Sequence, residues 1–427
     1  MQNVKGTYDF FGKEQAVRQK VRSVLQEVFE LYDYESMEST VLHELELLTS
    51  KYAGGDEILK EMYRFTDQGA RKLGLRYDLT IPLAKVMALN PGIKLPYRRY
   101  EIGKVFRDGP VKRGRLREFL QCDVDMVGVA GPEAEAELML IAVEVFKRLD
   151  IPVTLRWNNR RFLSEILDAV GVPAEDSLSV MLTLDKLEKI GSDGVLKEWR
   201  DKGISGPTVD EIAELIAMSG PSFSLLADRY GLKESRGAAE IRALQTLIDK
   251  LSLSDICRFD PFLSRGLSFY TGTVYEIFDA GGLYASSIGS GGRYDAIIGK
   301  LIGSEDMAYP AVGLSFGMES IMEMIRDRPI PAPTPKVVVL SIGDTMGEAL
   351  MAATALRSNG IQTGMEPAGR KLKKALASLE SRSIRYALLI GEEEVRTGQV
   401  RLKDMKAREE YAVPLDEALY LLEKNDA

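Results

Sequence analysis

The densest chemical signal in the chain lies between Pro96 and Glu118, where eight Lys and Arg residues stand against three acids. Arginine dominates from Arg113 onward, and its planar fork pairs with phosphate or carboxylate through two parallel hydrogen bonds. The same residues also fit a solvated hairpin edge, where cations discourage strand pairing. Just beyond, the apolar Leu120, Cys122, Val124 and Met126 alternate with Gln121, Asp123 and Asp125. A strand with that period packs one face and displays an amide and two acids on the other, as a pocket floor would. Arg76, Asp78 and Thr80 repeat the pattern on what reads as a second short strand, residues 75–79. A third cluster, residues 264–272, sets Arg265 beside a glycine and the neighbouring aromatics Phe269 and Tyr270, which fits ordinary packing as well as a site. A fourth, residues 287–295, is rich in glycine and carries Arg293. It is neither the phosphate-cradling loop nor the dinucleotide fingerprint, and a tight turn explains it equally well. Whatever chemistry these groups perform is carried by carboxylates, arginines and bound ions.

Composition narrows the field. Among 427 residues there is one histidine, His43, and two cysteines, Cys122 and Cys257. These counts exclude a disulfide framework, a thiolate metal site and a histidine-rich metal site. A Ser-His-acid relay would have to use His43, and no serine–acid pattern lies near it. The formal charge of −8 argues against a surface that coats nucleic acid or membrane, so a polyanion must meet a local patch. Lys5, Lys13, Arg18 and Lys20 punctuate the first 21 residues without an apolar signal segment. The longest apolar run, near residues 138–143, stops at Glu144. A cytoplasmic chain with no membrane span is expected.

The elements that must position these residues are partly legible. Val17, Val21, Val24, Leu25 and Val28 recur at helical spacing over residues 13–31. Residues 52–126 read mostly as strands and turns, with a turn at 54–56 and β-prone runs at 75–79 and 97–106; a helix follows at 134–149. Residues 158–253 read as a nearly all-helical insertion broken at Gly171, Gly203 and Gly220. Strand character returns at 267–278 and a helix at 318–326. Alternate prolines at 329, 331, 333 and 335 make an extended linker over 329–335. Residues 336–427 then alternate strands and helices, a small α/β domain with mostly parallel pairing. Residues 1–328 are expected to form the larger domain.

Together the four clusters resemble the histidyl-tRNA synthetase family of class II aminoacyl-tRNA synthetases, bacterial type. Residues 106–125 resemble its motif 2, residues 265–276 and 287–295 the two signatures of the histidyl branch, and residues 75–80 the strand at the amino group of histidine. Residues 311–320 occupy the place of motif 3. Residues 368–376 and 388–394 resemble the family's anticodon-binding domain. The resemblance implies an α+β catalytic domain, an antiparallel sheet flanked by helices, carrying the helical insertion and followed by the small α/β anticodon-binding domain. It implies ATP and Mg²⁺, the metal arriving with ATP and not on protein ligands, with L-histidine and tRNA(His) as partners, and a homodimer.

The resemblance also carries roles. It puts Asp78, Thr80 and Gln121 at the amino end of histidine, and Asp125 and Tyr270 at the imidazole, with Phe269 beside them. Arg107 bridges the histidine carboxylate and the α-phosphate, and Arg265 sits on that phosphate's other side. Phe119 stacks on adenine, Arg115 reaches the outer phosphates, and Arg293 joins the ATP set. Two positions depart from the pattern: Thr40 stands where motif 1 has proline, and Ser320 where motif 3 has the arginine that holds the γ-phosphate. The alternative is an inactive paralogue, serving as a regulatory subunit of histidine biosynthesis or as a tRNA-binding sensor.

Overall fold

The computed structural model describes residues 1–49, 59–218, 220–266, 269–303, 309–328 and 334–424. The chain divides into two compact units, Met1–Arg328 and Pro329–Ala427. The turn expected at 54–56 and residues 329–333 of the proline run lie outside the described residues.

In the first unit the strands are β1 (Glu35–Ser36), β2 (Leu42–Glu44), β3 (Arg64–Thr66), β4 (Lys72–Leu75), β5 (Tyr97–Phe106), β6 (Glu118–Val127), β7 (Val153–Asn159), β8 (Cys257–Phe259), β9 (Thr273–Asp279), β10 (Gly289–Arg293) and β11 (Ala311–Gly317). Among the described residues, eight of them form one sheet in the order β1-β5-β6-β11-β10-β9-β7-β8. It is antiparallel apart from its edges, where β1 and β8 pair in parallel. The apolar positions of β6 and β11 point to one face and are buried beneath helices Gly12–Leu31 and Glu133–Arg148. Phe29 and Phe146, one from each helix, lie 5.7 Å from the Phe316 ring of β11. That face is the core, so the polar positions of the same strands are left on the other side.

Three sequence expectations change. Residues 75–79 are not a strand: β4 ends at Leu75, and helix Thr80–Leu89 begins within the motif. The Asp78 carboxylate accepts the Ile81 N–H at 3.1 Å, an interaction that starts a helix, and Pro82 is tolerated because first-turn amides lack helical partners. Likewise, the strand expected over 267–278 begins at Thr273 among its described residues, with 267–268 lying outside them. Conversely, the glycine-rich stretch is no turn but β10, a central strand between β9 and β11. A Cβ on Gly291 would stand 2.0 Å from the Gly313 carbonyl, so the strands approach here only because the side chain is absent.

The insertion holds helices Arg160–Ala169, Ala174–Leu184, Leu187–Asp201, Gly206–Ala217, Phe223–Arg229 and Arg236–Lys250 around Leu163, Val180, Trp199 and Ile212. Its first two expected residues belong to β7. Asn159 ends that strand, and its side chain caps the first helix by accepting from the Arg161 and Phe162 amides.

The second unit carries β12 (Val337–Ser341), β13 (Thr363–Met365), β14 (Tyr386–Ile390), β15 (Val400–Asp404) and β16 (Glu409–Val413), ordered β13-β12-β14-β15-β16. The first three are parallel, but β14-β15 and β15-β16 are antiparallel. The pairing is therefore mixed: Asp404 accepts the Lys406 and Ala407 amides to make a tight turn that a parallel crossover would not allow.

Candidate active site

The polar face of the sheet is organised by register. One cross-strand row runs Glu101, Asp123, Ser315, Ser290, Glu276 and Arg156 over β5, β6, β11, β10, β9 and β7. A second aligns Arg99, Asp125, Gly313 and Gly292, and a third Gly103, Gln121 and Gly317. Glycines thus stand beside the bulkiest floor groups. A Cβ on Gly313 would lie 1.9 Å from Asp125 Oδ1, and one on Gly292 2.9 Å from the Tyr270 ring. The expected shared face of Gln121, Asp123 and Asp125 is present, and Cys122 and Val124 are buried on the opposite side.

Asp125 is held from two directions. Arg99, whose side chain is 0% exposed, pairs with Oδ2 at 2.8 Å, and the Tyr294 hydroxyl donates to Oδ1. Burial pushes the Asp125 carboxyl up and Arg99 opposes it; Asp123 is pushed up by burial and then by Asp125, again against Arg99. Tyr270, expected as Asp125's partner, stands in the same electrostatic neighbourhood, but the hydroxyl bonded to Asp125 is that of Tyr294. Phe269 packs with Leu83, Val127 and Ile297 in an apolar cluster that also takes in Tyr294, with Tyr270 against it. Arg99 and Tyr294 were missed because strand alternation separates Arg98 from Arg99 without saying which one points inward.

The amino-end trio is split by its surroundings. Asp78 is buried and its carboxyl is pushed up to about 6 by burial, with the Ile81 amide and Arg107 opposing. Thr80 opens the helix beside it. Arg76, which shares their spacing, is instead a brace, donating to the Ser39 carbonyl and pairing with Glu101 at 2.7 Å. Gln121 donates through Nε2 to Ser315 Oγ at 3.3 Å, and its Oε1 is buried without a hydrogen-bond partner.

Arginines flank this floor. Arg107 follows β5, donates to the Tyr77 carbonyl at 3.0 Å and lies 5.3 Å from the Phe119 ring centre. Arg265 approaches from the β9–β10 side, paired with Glu276 and donating to Ser290 Oγ at 3.0 Å. Its backbone is left-handed, φ 63°, a conformation that costs a non-glycine residue on the order of 1 kcal/mol and is over-determined here by neighbours. Ser264 donates to the Met181 carbonyl of the insertion, and Asn158 holds the Pro261 and Leu263 carbonyls. Arg115 is engaged by both oxygens of Glu61, at 2.6 and 2.7 Å. Arg293, expected in the ATP set, is engaged within the protein: Glu135 takes its guanidinium at 2.6 Å through both oxygens, and the Val129 and Gly131 carbonyls take further donors. These bonds brace β10 to the loop before helix Glu133–Arg148.

Ser320 is buried and hydrogen-bonded to the Tyr284 hydroxyl at 3.1 Å. The arginine hairpin closes over this pair: a Cβ on Gly114 would fall 2.0 Å from Tyr284 Oη. The space of a long side chain at 320 is therefore filled by Tyr284 and the hairpin. Among the described residues no three His, Cys, Asp or Glu side chains converge on a metal position.

Comparison with known proteins agrees with this arrangement. The family pattern described as Histidyl-tRNA synthetase matches residues 6–321, and that described as Anticodon binding domain matches residues 336–425. Histidine–tRNA ligase 1 of Bacillus anthracis is 47% identical over 419 residues, 97% of this chain and 98% of the relative. The crystal structure of histidyl-tRNA synthetase from Nostoc sp. PCC 7120 superposes with a TM-score of 0.81 at 26% identity, covering 99% of both chains. An ATP phosphoribosyltransferase regulatory subunit/histidyl-tRNA synthetase from Bacillus halodurans C shares the fold, with a TM-score of 0.74 at 20% identity over 91% of this chain and 98% of the other. With a floor of paired acids between arginines and a family pattern that spans the sheet and its insertion, the chain belongs to the histidyl-tRNA synthetase family, class II.

Proposed function

We infer that this chain activates L-histidine with ATP and transfers it to the 3′ end of tRNA(His). In the first step a histidine carboxylate oxygen attacks the α-phosphorus, a bond forms to phosphorus, and pyrophosphate leaves. In the second a ribose hydroxyl of the tRNA attacks the acyl carbon and AMP leaves. Neither step needs a side-chain nucleophile; alignment and neutralisation of charge on the α-phosphate suffice.

The observation that carries the reading is the placement of Arg107 and Arg265 on opposite flanks of an acid-and-amide floor. Asp78, Thr80 and Gln121 receive the ammonium group. Asp125, held in place by Arg99 and Tyr294, accepts the imidazole N–H, with Tyr270 at the rim. Arg107 draws the histidine carboxylate toward the α-phosphate, Arg265 meets the charge that develops there, and Phe119 offers its ring to adenine. Arg115 leaves Glu61 for the outer phosphates. Mg²⁺ would arrive with the phosphates of ATP and offset their charge. We place the enzyme in the cytoplasm as a homodimer; exposed Tyr8, Phe11 and Leu42 near its N-terminus support a subunit contact, and no helix of the described residues is long and apolar enough to cross a membrane. The second unit, matched to an anticodon-binding pattern, is assigned to the tRNA.

Histidine-dependent exchange of pyrophosphate into ATP tests the reading. Exchange with histidine and not with other amino acids is expected; a protein silent at saturating histidine, ATP and Mg²⁺ would overturn it in favour of the regulatory alternative.

A further inference from the structure

The unpartnered carbonyl of Gln121 is explained by the two residues behind it. Ser315 Oγ donates to Asp123 Oδ1. Ser315 and Asp123 face each other in the β11–β6 register, and Gln121 lies two residues before Asp123 on the same face. A serine hydroxyl has one proton, and the geometry directs it at Asp123 Oδ1. With the Ser315 proton committed to Asp123, the Ser315 oxygen can only accept, so it must meet the NH₂ end of Gln121, as observed at 3.3 Å. The amide cannot rotate without setting oxygen against oxygen. Its Oε1 is therefore left as a buried acceptor with no donor among the described residues. An unmet acceptor of this kind is a cost in the free protein that a ligand bringing a donor relieves.

We propose that Ser315 and Asp123 are positioning residues for histidine activation, fixing the Gln121 side chain so that its carbonyl oxygen is presented to the ammonium group of the amino acid. This rests on the reading of the site as a histidine-activating one. The direction of the hydrogen-bond chain matters because the opposite amide orientation would point two N–H donors at a cation. Asp123 touches no substrate in this arrangement; it acts through Ser315, and Ser315 through Gln121. Neither position belongs to the set that the family resemblance assigns.

The test compares histidine with its des-amino analogue, 3-(imidazol-4-yl)propionate, by calorimetry on the full-length protein, alongside pyrophosphate exchange. Ser315→Ala frees the amide and should weaken histidine roughly tenfold, while the analogue, which has no ammonium group, keeps its affinity within about twofold. Ser315→Thr retains the hydroxyl and should restore histidine binding. In a Gln121→Leu background, Ser315→Ala should have no further effect on histidine, since the group it orients is gone. Ser315→Cys, close in volume but a weak donor, gives the same comparison should the alanine variant not fold, and should show a smaller loss in the same direction. Equal loss for histidine and analogue, or additive losses in the double variant, would overturn the proposal and leave the functional reading standing. A wild type without histidine-dependent exchange would take both.

Discussion

The two ends of the active site are built in opposite ways. At the amino-acid end the groups stand on the interior strands β5, β6 and β11 and are sealed by one another: Arg99 on Asp125, Tyr294 on Asp125, Ser315 on Asp123. On the outer side the hairpin cations Arg113 and Arg115 are tethered by ion pairs near the surface. Arg115 is 42% exposed and paired with Glu61; Arg113 is 65% exposed and paired with Glu323. Exposed pairs of this kind contribute about 0–1 kcal/mol and exchange readily for a phosphate, whereas a buried pair cannot lose one partner without leaving a charge stranded. On the roles proposed above, selection for the small substrate is preorganised in the sheet, while the nucleotide meets hairpin cations that must first let go of their own carboxylates.

Four measurements test that contrast. The largest effect is expected at Asp125. Asp125→Ala removes the acceptor for imidazole and strands Arg99, so discrimination for histidine should fall by on the order of 10⁴, with the fold itself destabilised by about 3–5 kcal/mol. Calorimetry showing wild-type histidine affinity in this variant would mean the pocket lies elsewhere. Next is Arg265→Ala, expected to lower kcat by about 10²–10³ with little change in histidine binding, because the group acts on charge that develops during attack. A rise in KM with kcat intact would remove that assignment.

The third concerns pH and separates substrate binding from stability. The Asp78 carboxyl rises from an ordinary 3.8 to about 6 in the folded protein, a difference worth on the order of 3 kcal/mol. A raised folded value favours the neutral form. The associated stability is therefore complete below the unfolded value and is lost as pH climbs from about 4 through about 6. Asp78→Asn should melt with the wild type near pH 4 and above it at pH 8, while failing to activate histidine. Coincident melting curves at pH 8 would show that burial exacts no such cost. The smallest effect belongs to the phosphate end: Glu61→Gln releases Arg115 and should lower the KM for ATP by no more than about fivefold, against a clear rise for Arg115→Ala. If Glu61→Gln instead weakened ATP, Glu61 would be orienting Arg115 and not merely occupying it.

Much of this site was legible before the fold was known. The alternation Gln121, Asp123, Asp125 announced a one-sided polar strand because β geometry has period two, and the arginine run after Phe106 announced anions because it stands out against a net charge of −8. Residues 75–80 misled for an instructive reason: three polar residues at alternate positions suit a strand, but Asp78 is also a helix starter, and the Ile81 amide claimed it. The glycines of β10 were ambiguous because glycine marks a turn and a close approach equally well in one dimension.

From the sequence alone came the family and the one-sided polar face of β6, since each depends on local period or a contiguous motif. Only the tertiary structure decided which of Arg98 and Arg99 is buried, that Tyr294 and not Tyr270 bonds to Asp125, that Arg293 is a brace, and that Ser315 sets the amide of Gln121. Each of these joins side chains from strands or loops remote in sequence. Their pairing follows from strand register and from the space that glycines leave, and neither quantity is written in any one segment of the chain.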